Sequence, residues 1–570
     1  VDRRRAQRRM ALRGGAALLL ACGAPAAGAE APDVVFTGGN VHTLNAACAH
    51  AEALAVRGGR IVAVGTDREV LALAGAGTRR VPLGGLTVVP GLIDAHGHMA
   101  GLGALRCGRE DLLETASFDE LLRRIESRVR RARPGEWILG SRWDQANWGQ
   151  KELPTHERLS ALSPANPVLL WRVDGHAALA NRRALELAGI GRDTPNPPGG
   201  EIVKGPDGEP TGMLIDAAQG PVLRQVRAPA ASLREQIEAA QEACLAAGLT
   251  GVHDAGIGDA EIALYRKLCD EGRLKLRIYG MVSVGTGPAA ADYLARNRPL
   301  VGYGDGRFTL RAVKCFADGA LGSRGAWLLA PYSDRPGHAG LSTQKPGELA
   351  ALAAAAADGG WQVCTHAIGD RANREVLDAY ERVLKGRAGG ELRFRVEHAQ
   401  VIDPGDLPRF ARLGLVPSMQ PTHATSDMRW AADRLGEARL AGAYAWATLA
   451  NSGAHLAFGS DFPVESERPL RGFHAAVTRQ DRRGEPAGGW CPAERLSREE
   501  ALRAFTVGAA RAAFEEALKG TLESGKYADF VVLSRDILSC EPAELLTTEV
   551  VMTVIGGEVV FRRAEAPQKP

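Results

Sequence analysis

No Cys-x-x-Cys pair occurs in this chain of 570 residues, although nine cysteines are scattered through it, at 22, 48, 107, 244, 269, 315, 364, 491 and 540. An odd number of dispersed thiols in so long a chain argues against a disulfide scaffold and for small apolar packing residues. Charge of one sign is missing too. Lys and Arg number 70 against 67 Asp and Glu, a formal net charge of +3, and basic residues cluster only at the extreme N-terminus. That leaves no basic face for nucleic acid, and a small neutral or mixed-charge substrate is the expected partner. Past the first 30 residues no apolar run is long enough to span a membrane, and there are no repeats or low-complexity tracts. The rest of the composition is ordinary for a globular enzyme, 45% hydrophobic and 24% charged. A homodimer remains open as its assembly.

Residues 1–30 read as a targeting segment. Arg3, Arg4, Arg5, Arg8 and Arg9 form a charged start, a short apolar run follows at 16–21, and Ala27-Gly28-Ala29 is a small-residue cleavage site. Arg8-Arg9-Met10-Ala11-Leu12-Arg13 resembles a twin-arginine signal, and Leu19-Leu20-Ala21-Cys22 resembles a lipoprotein box. Export to the periplasm, with a lipid anchor at Cys22 as an option, is the expectation. Initiation at Met10 would leave a weaker secretory signal, and a cytoplasmic location is the alternative.

Two β-rich ends enclose an alternating middle. Residues 33–89 hold short β-prone runs, with Gly38-Gly39 and Gly58-Gly59 as expected hairpin turns. Residues 520–563 add two more runs, the second turning at Gly556-Gly557. The two ends are expected to pair into one small β-sandwich domain. Between them, apolar strands alternate with helical stretches, the pattern of a parallel α/β fold. Eight strands are assigned at 86–96, 249–255, 276–284, 308–318, 361–366, 394–398, 415–420 and 455–461. This predicts a (β/α)8 barrel over 86–98 and 248–519, a core of roughly 250 residues. Residues 99–247 are far too many for a βα loop and read as an insertion over the barrel mouth, with a hairpin turning at Pro206-Asp207-Gly208.

The chemistry-bearing residues fall at strand ends, the face on which such barrels build their sites. His96 and His98 alternate about Gly97, so both imidazoles point to one side of an extended strand. His366 and His398 each end an apolar run, and Asp461 closes another. An ionised carboxylate in such a place needs a partner, and a cation is the natural one. Imidazole and carboxylate are zinc-type ligands. Lys314 is harder to place: an ammonium has no lone pair, so it calls for an ion partner or for modification. His423 follows the seventh strand at the mouth and suits a catalytic, substrate or oxyanion role. Asp174 and His176 in the insertion read as substrate contacts or as a simple turn, and Asp318 and Arg324 after the fourth strand as substrate contacts or as an ion pair with each other. The tryptophans 137, 143, 148 and 171 read as a local core.

The strings around these residues carry a resemblance. They are VPGLIDAHGH (89–98), KCFADGALGSR (314–324), THAIGD (365–370), EHAQ (397–400) and GSDFPV (459–464). Over about 33–562 the chain resembles the amidohydrolase superfamily, and within it amidohydrolase family 3, which includes N-substituted formamide deformylase. The resemblance implies a centre of one or two divalent ions. His96, His98 and Asp461 would hold the first and His366 and His398 the second, with Lys314 carboxylated and bridging. A single ion beside an unmodified Lys314 is the other form. It further implies hydrolysis of carbon–nitrogen bonds in linear amides or N-acyl and N-formyl compounds by metal-activated hydroxide, with Asp461 as proton shuttle. Ester, lactone or cyclic-amide hydrolysis would use the same site. A binding or regulatory protein on a retired enzyme scaffold is the reading from another class.

Overall fold

In the computed structural model, described residues are 30–564 apart from 114, 149–152, 227–230, 346, 386 and 388–391. The targeting segment and Cys22 lie outside them. Both chain ends build the first layer pair. One sheet has four strands from residues 34–82. The other joins Asn40–His42, His50–Ala51 and Thr87–Pro90 to Phe530–Leu533, Val550–Ile555 and Glu558–Arg562. Alternating apolar residues of the two sheets share one core, in which Phe36 meets Phe530 edge to face at 4.9 Å. Gly58-Gly59 makes the expected hairpin between Ala53–Arg57 and Arg60–Gly65. Gly38-Gly39 does not. It carries the chain from one sheet to the other, with Gly38 at φ +69 and its N–H donated to Asp67.

Eight parallel strands follow: β1 (Leu92–Gly97), β2 (Leu249–Ile257), β3 (Arg277–Ser283), β4 (Phe308–Phe316), β5 (Gln362–Ala367), β6 (Arg395–His398), β7 (Val416–Met419) and β8 (Ala457–Phe458). They pair in chain order. The sheet curls until the chain after β8 meets β1: Asp461 N–H donates to His96 O at 2.7 Å, and His98 N–H to Phe462 O at 2.8 Å. Most of these strands are buried along their whole length, as a sheet covered on both faces requires. The barrel floor is filled by small residues, with Ala509, Ala510 and Ala512 packed among Ile93, Ala95, Val416 and Ala457.

The first sequence assignment needs correction. Residues 86–96 are two strands, because Thr87–Pro90 pairs into the terminal sheet and only Leu92–Gly97 enters the barrel. The break is at Gly91, where a Cβ would lie 2.2 Å from Thr250 Oγ1. Only glycine lets the strand change sheets there.

Between β1 and β2 a third sheet of six strands spans residues 110–216, with its own core around Trp143 and Trp148. The hairpin expected at 201–214 is present as Gly200–Lys204 paired with Pro210–Asp216. Trp137 and Trp171 pack in a neighbouring cluster on this sheet. No described helix is long and apolar enough to cross a membrane.

Candidate metal centre

β1, β4, β5 and β6 and the turn after β8 deliver one histidine pair, one lysine, two further histidines and one carboxylate to a single point. The His96 ring lies 5.5 Å from that of His98 and 4.9 Å from that of His398, and His366 meets His398 at 4.5 Å. Asp461 Oδ1 is 2.9 Å from His98 Nε2 and 3.7 Å from His96 Nε2. Lys314 Nζ is 3.2 Å from His96 Nε2. Gly97 is needed for this approach: a Cβ there would sit 2.5 Å from the Phe462 ring. His398 and Asp461 both adopt left-handed backbone, φ +72 and +61. Such strain in non-glycine residues is characteristic of functional sites.

Hydrogen bonds behind the rings decide which nitrogen faces the centre. His96 Nδ1 donates to Glu397 Oε2 at 2.5 Å, His98 Nδ1 to Ala255 O at 2.8 Å and His398 Nδ1 to Gln420 Oε1 at 2.8 Å. His96 and His398 are left with an Nε2 lone pair turned to the centre, whereas His98 sets its Nε2 against Asp461 Oδ1. His366 is the reverse: Nε2 lies 3.4 Å from Gly319 O, which leaves Nδ1. An acceptor behind each ring is the arrangement that holds a metal-binding histidine in its tautomer.

Electrostatics agree. Burial, then neighbouring cationic groups, holds His96, His366 and His398 well below the ordinary imidazole range, as neutral lone-pair donors. Burial also lowers the Lys314 ammonium, against the pull of Glu397 and Asp461. Burial would raise Asp461, but the hydrogen bond from His98 outweighs it and keeps the carboxyl ionised, and Asp461 in turn raises His98 against its own burial. Neutral imidazoles and a fixed carboxylate are the donors a divalent ion requires. Among the described residues, two trios have their ligand atoms within 4.8 Å of one another, His96, His98 and Asp461, and His398, His423 and Asp461.

The centre opens into a cavity of about 600 Å³ whose lining includes Asp174, His176, His366, His398, His423 and Asp461. His423 Nε2 is 3.8 Å from Asp461 Oδ2, and its ring stacks on His398 at 6.0 Å. It thus lies on the cavity wall within the second trio. From the insertion, His176 lies 5.0 Å from His366 and donates from Nδ1 to Asp216 at 2.6 Å. Burial would lower His176, but the Asp216 charge and hydrogen bond push it up to about 9. Asp174 pairs with buried Arg172 at 2.5 Å.

Asp318 and Arg324 are not partners and do not line the cavity. Asp318 is fully buried and accepts the backbone N–H groups of Trp327, Ile368 and Gly369. It is a loop anchor, 3.5 Å from His366 Nε2. Arg324 turns away to Asp334 at 3.0 Å.

A profile described as "Amidohydrolase family" matches residues 81–561. The chain belongs to the amidohydrolase family. Family relatives span nearly its full length. It is 37% identical to protein LONG AFTER FAR-RED 3 of Arabidopsis thaliana, over 94% of this chain and 93% of that one. It is 30% identical to N-substituted formamide deformylase of Arthrobacter pascens, over 93% and 98%. An uncharacterized metal-dependent hydrolase from Pyrococcus furiosus, 29% identical, superposes with a TM-score of 0.69 over 89% of this chain and all of that one. The resemblance read from the motifs therefore holds.

Sequence reading overlooked the residues behind the centre: Glu397, Gln420, Asp216, Arg395 and His253. Glu397 did carry a signal, as a charged residue within an apolar strand next to His398. Burial would raise its carboxyl, but fully buried Arg395 binds it at 2.7 Å and holds it below its ordinary range. Arg395 also donates to Ala95 O, Ser418 and His253, tying β1, β2, β6 and β7 together beneath the centre.

Proposed function

We propose that this protein hydrolyses carbon–nitrogen bonds of small linear amides or N-acyl compounds, N-formyl compounds included, at a divalent metal centre. The observation that carries the reading is the convergence of four histidines with Asp461, each ring already turned by an acceptor behind it. Similarity to a relative named N-substituted formamide deformylase supports the choice of bond. His96, His98 and Asp461 would hold one ion, and His366 and His398 a second. Zinc suits these donors, and when bound it supplies Lewis acidity toward the scissile carbonyl and a lowered pKa for water.

The protein's own groups do the rest. Asp461 accepts a proton from the attacking water and delivers it to the leaving nitrogen, so no charged amide anion has to depart. His423 and His176, on the cavity wall, donate hydrogen bonds to the substrate oxygen as negative charge grows there. As a carbamate, Lys314 would be a further anionic ligand available to both ions. Its buried, lowered-pKa amine adds to carbon dioxide, forming an N–C bond and releasing one proton, and the product anion answers the surplus positive charge of two cations.

Metal analysis of purified protein together with a panel of formamides, other amides and esters tests this. One or two ions per chain with amide turnover lost on chelation is expected. A metal-replete protein that cleaves no member of the panel would overturn it.

A further inference from the structure

A second cavity, about 610 Å³, opens beside the first and shares Leu113, Arg471 and Arg482 with it. Six arginines line it, Arg106, Arg142, Arg468, Arg471, Arg482 and Arg563, against only two carboxylates, Asp111 and Glu467. Arg106 takes Glu467 at 2.5 Å, and Arg142 takes Asp111 at 3.1 Å. Arg563 turns to Glu549 at 3.4 Å. Among the described residues, Arg468 and Arg471 form no ion pair. Burial, and then Arg468 beside it, lowers the Arg471 guanidinium, and the nearby carboxylates of Glu467 and Glu465 oppose this without cancelling it.

Arg142 is the most telling. The strand Ile138–Trp143 bulges between Ser141 and Trp143, and Arg142 there has φ +79. A bulge of this kind re-aims a side chain, and here it serves a guanidinium. That side chain is 8% exposed, and its buried Nε has no hydrogen-bond partner. Left-handed backbone at a non-glycine residue is costly and is kept where the surrounding structure fixes it, and here it holds a guanidinium at the wall of the cleft. Clefts lined by one sign of charge also focus the field and concentrate ions of the opposite sign.

We propose that this cleft binds an anionic group, a carboxylate, phosphate or sulfate, and that it is the outer subsite of the catalytic cavity. Guanidinium forks match the planar or tetrahedral oxygens of such groups. The anion is carried by the substrate itself, at the end remote from the scissile bond. This source rests on the hydrolase reading above; the anion site does not.

Two arms test it on the full-length protein. Inorganic phosphate is titrated calorimetrically into the parent and into Arg468→Gln and Arg471→Gln; Arg468 is exposed, so its variant keeps the fold, and melting temperatures check both. Phosphate affinity is expected to fall about tenfold in the variants. In the second arm, 6-(formylamino)hexanoate is compared with N-formylhexylamine. The two share the scissile bond and differ in a terminal carboxylate. The parent is expected to favour the anionic amide in kcat/KM by about tenfold, with the ratio falling toward one in the variants. Phosphate binding without that preference keeps the cleft and assigns it to a free anion. Hydrolysis of neither amide counts against the hydrolase reading alone. Phosphate that fails to bind the parent, or binds the variants equally, overturns the inference.

Discussion

His96 and Glu397 are 301 residues apart in the chain, yet His96 Nδ1 lies 2.5 Å from Glu397 Oε2 at the base of the site. Arg395 grips the same carboxylate through Nε at 2.7 Å and Nη2 at 3.0 Å. The carboxylate therefore stays ionised in full burial, orients the His96 ring and raises the basicity of Nε2.

Glu397→Gln keeps the shape and removes the charge. Metal affinity, read by chelator competition, is expected to drop by about 10–100-fold. An unchanged dissociation constant would mean that the carboxylate only packs against the ring.

Asp461→Asn removes the proton carrier. A fall in kcat of about 10²–10⁴ is expected, measured by steady-state kinetics on the formamide that the parent cleaves best. Near-normal turnover at full metal content would exclude the shuttle role.

Lys314 is expected to appear as a carbamate in crystals of metal-replete protein, with anomalous scattering placing an ion on each side. Density ending at a bare ammonium while both ions are present would remove the bridge from the mechanism. Lys314→Met is expected to bind one ion fewer by elemental analysis.

The His176–Asp216 pair makes stability depend on pH. The His176 pKa is raised, from an ordinary value near 6.5 to about 9. The folded state therefore holds the proton more tightly than the unfolded one. Its stabilisation is complete below about pH 6.5 and is lost as pH rises through about 9. Melting curves of the parent and of Asp216→Asn should differ most at pH 6 and converge above pH 9. A constant difference across that range would show that the pair acts through packing alone.

Local order was legible because it repeats over short distances. Alternation about Gly97 announced that His96 and His98 share a face, and a histidine or aspartate closing an apolar run marked β5, β6 and the turn after β8. Gly58-Gly59 also read correctly, since a two-residue hairpin is settled by its own backbone. Gly38-Gly39 has the same local signature but crosses between sheets, and Gly91 splits what looked like one strand. Both outcomes depend on which distant strand pairs alongside. The match of Asp318 to Arg324 failed for a related reason: neighbours in sequence found better partners across the loop, backbone N–H groups for one and Asp334 for the other.

Composition and strand-end chemistry were enough to determine an α/β barrel and the donor types of its centre, because strand periodicity and ligand chemistry belong to single residues and their near neighbours. Only the closed barrel could choose the ring nitrogens, through acceptors contributed by Glu397, Ala255, Gln420 and Gly319 from other strands and loops. Only the fold, likewise, gathers six arginines from segments between 106 and 563 into one cleft. A chain that is nearly neutral overall, with its charges scattered past the N-terminal segment, conceals such a patch, since the field at a surface depends on positions in space and not on order in sequence.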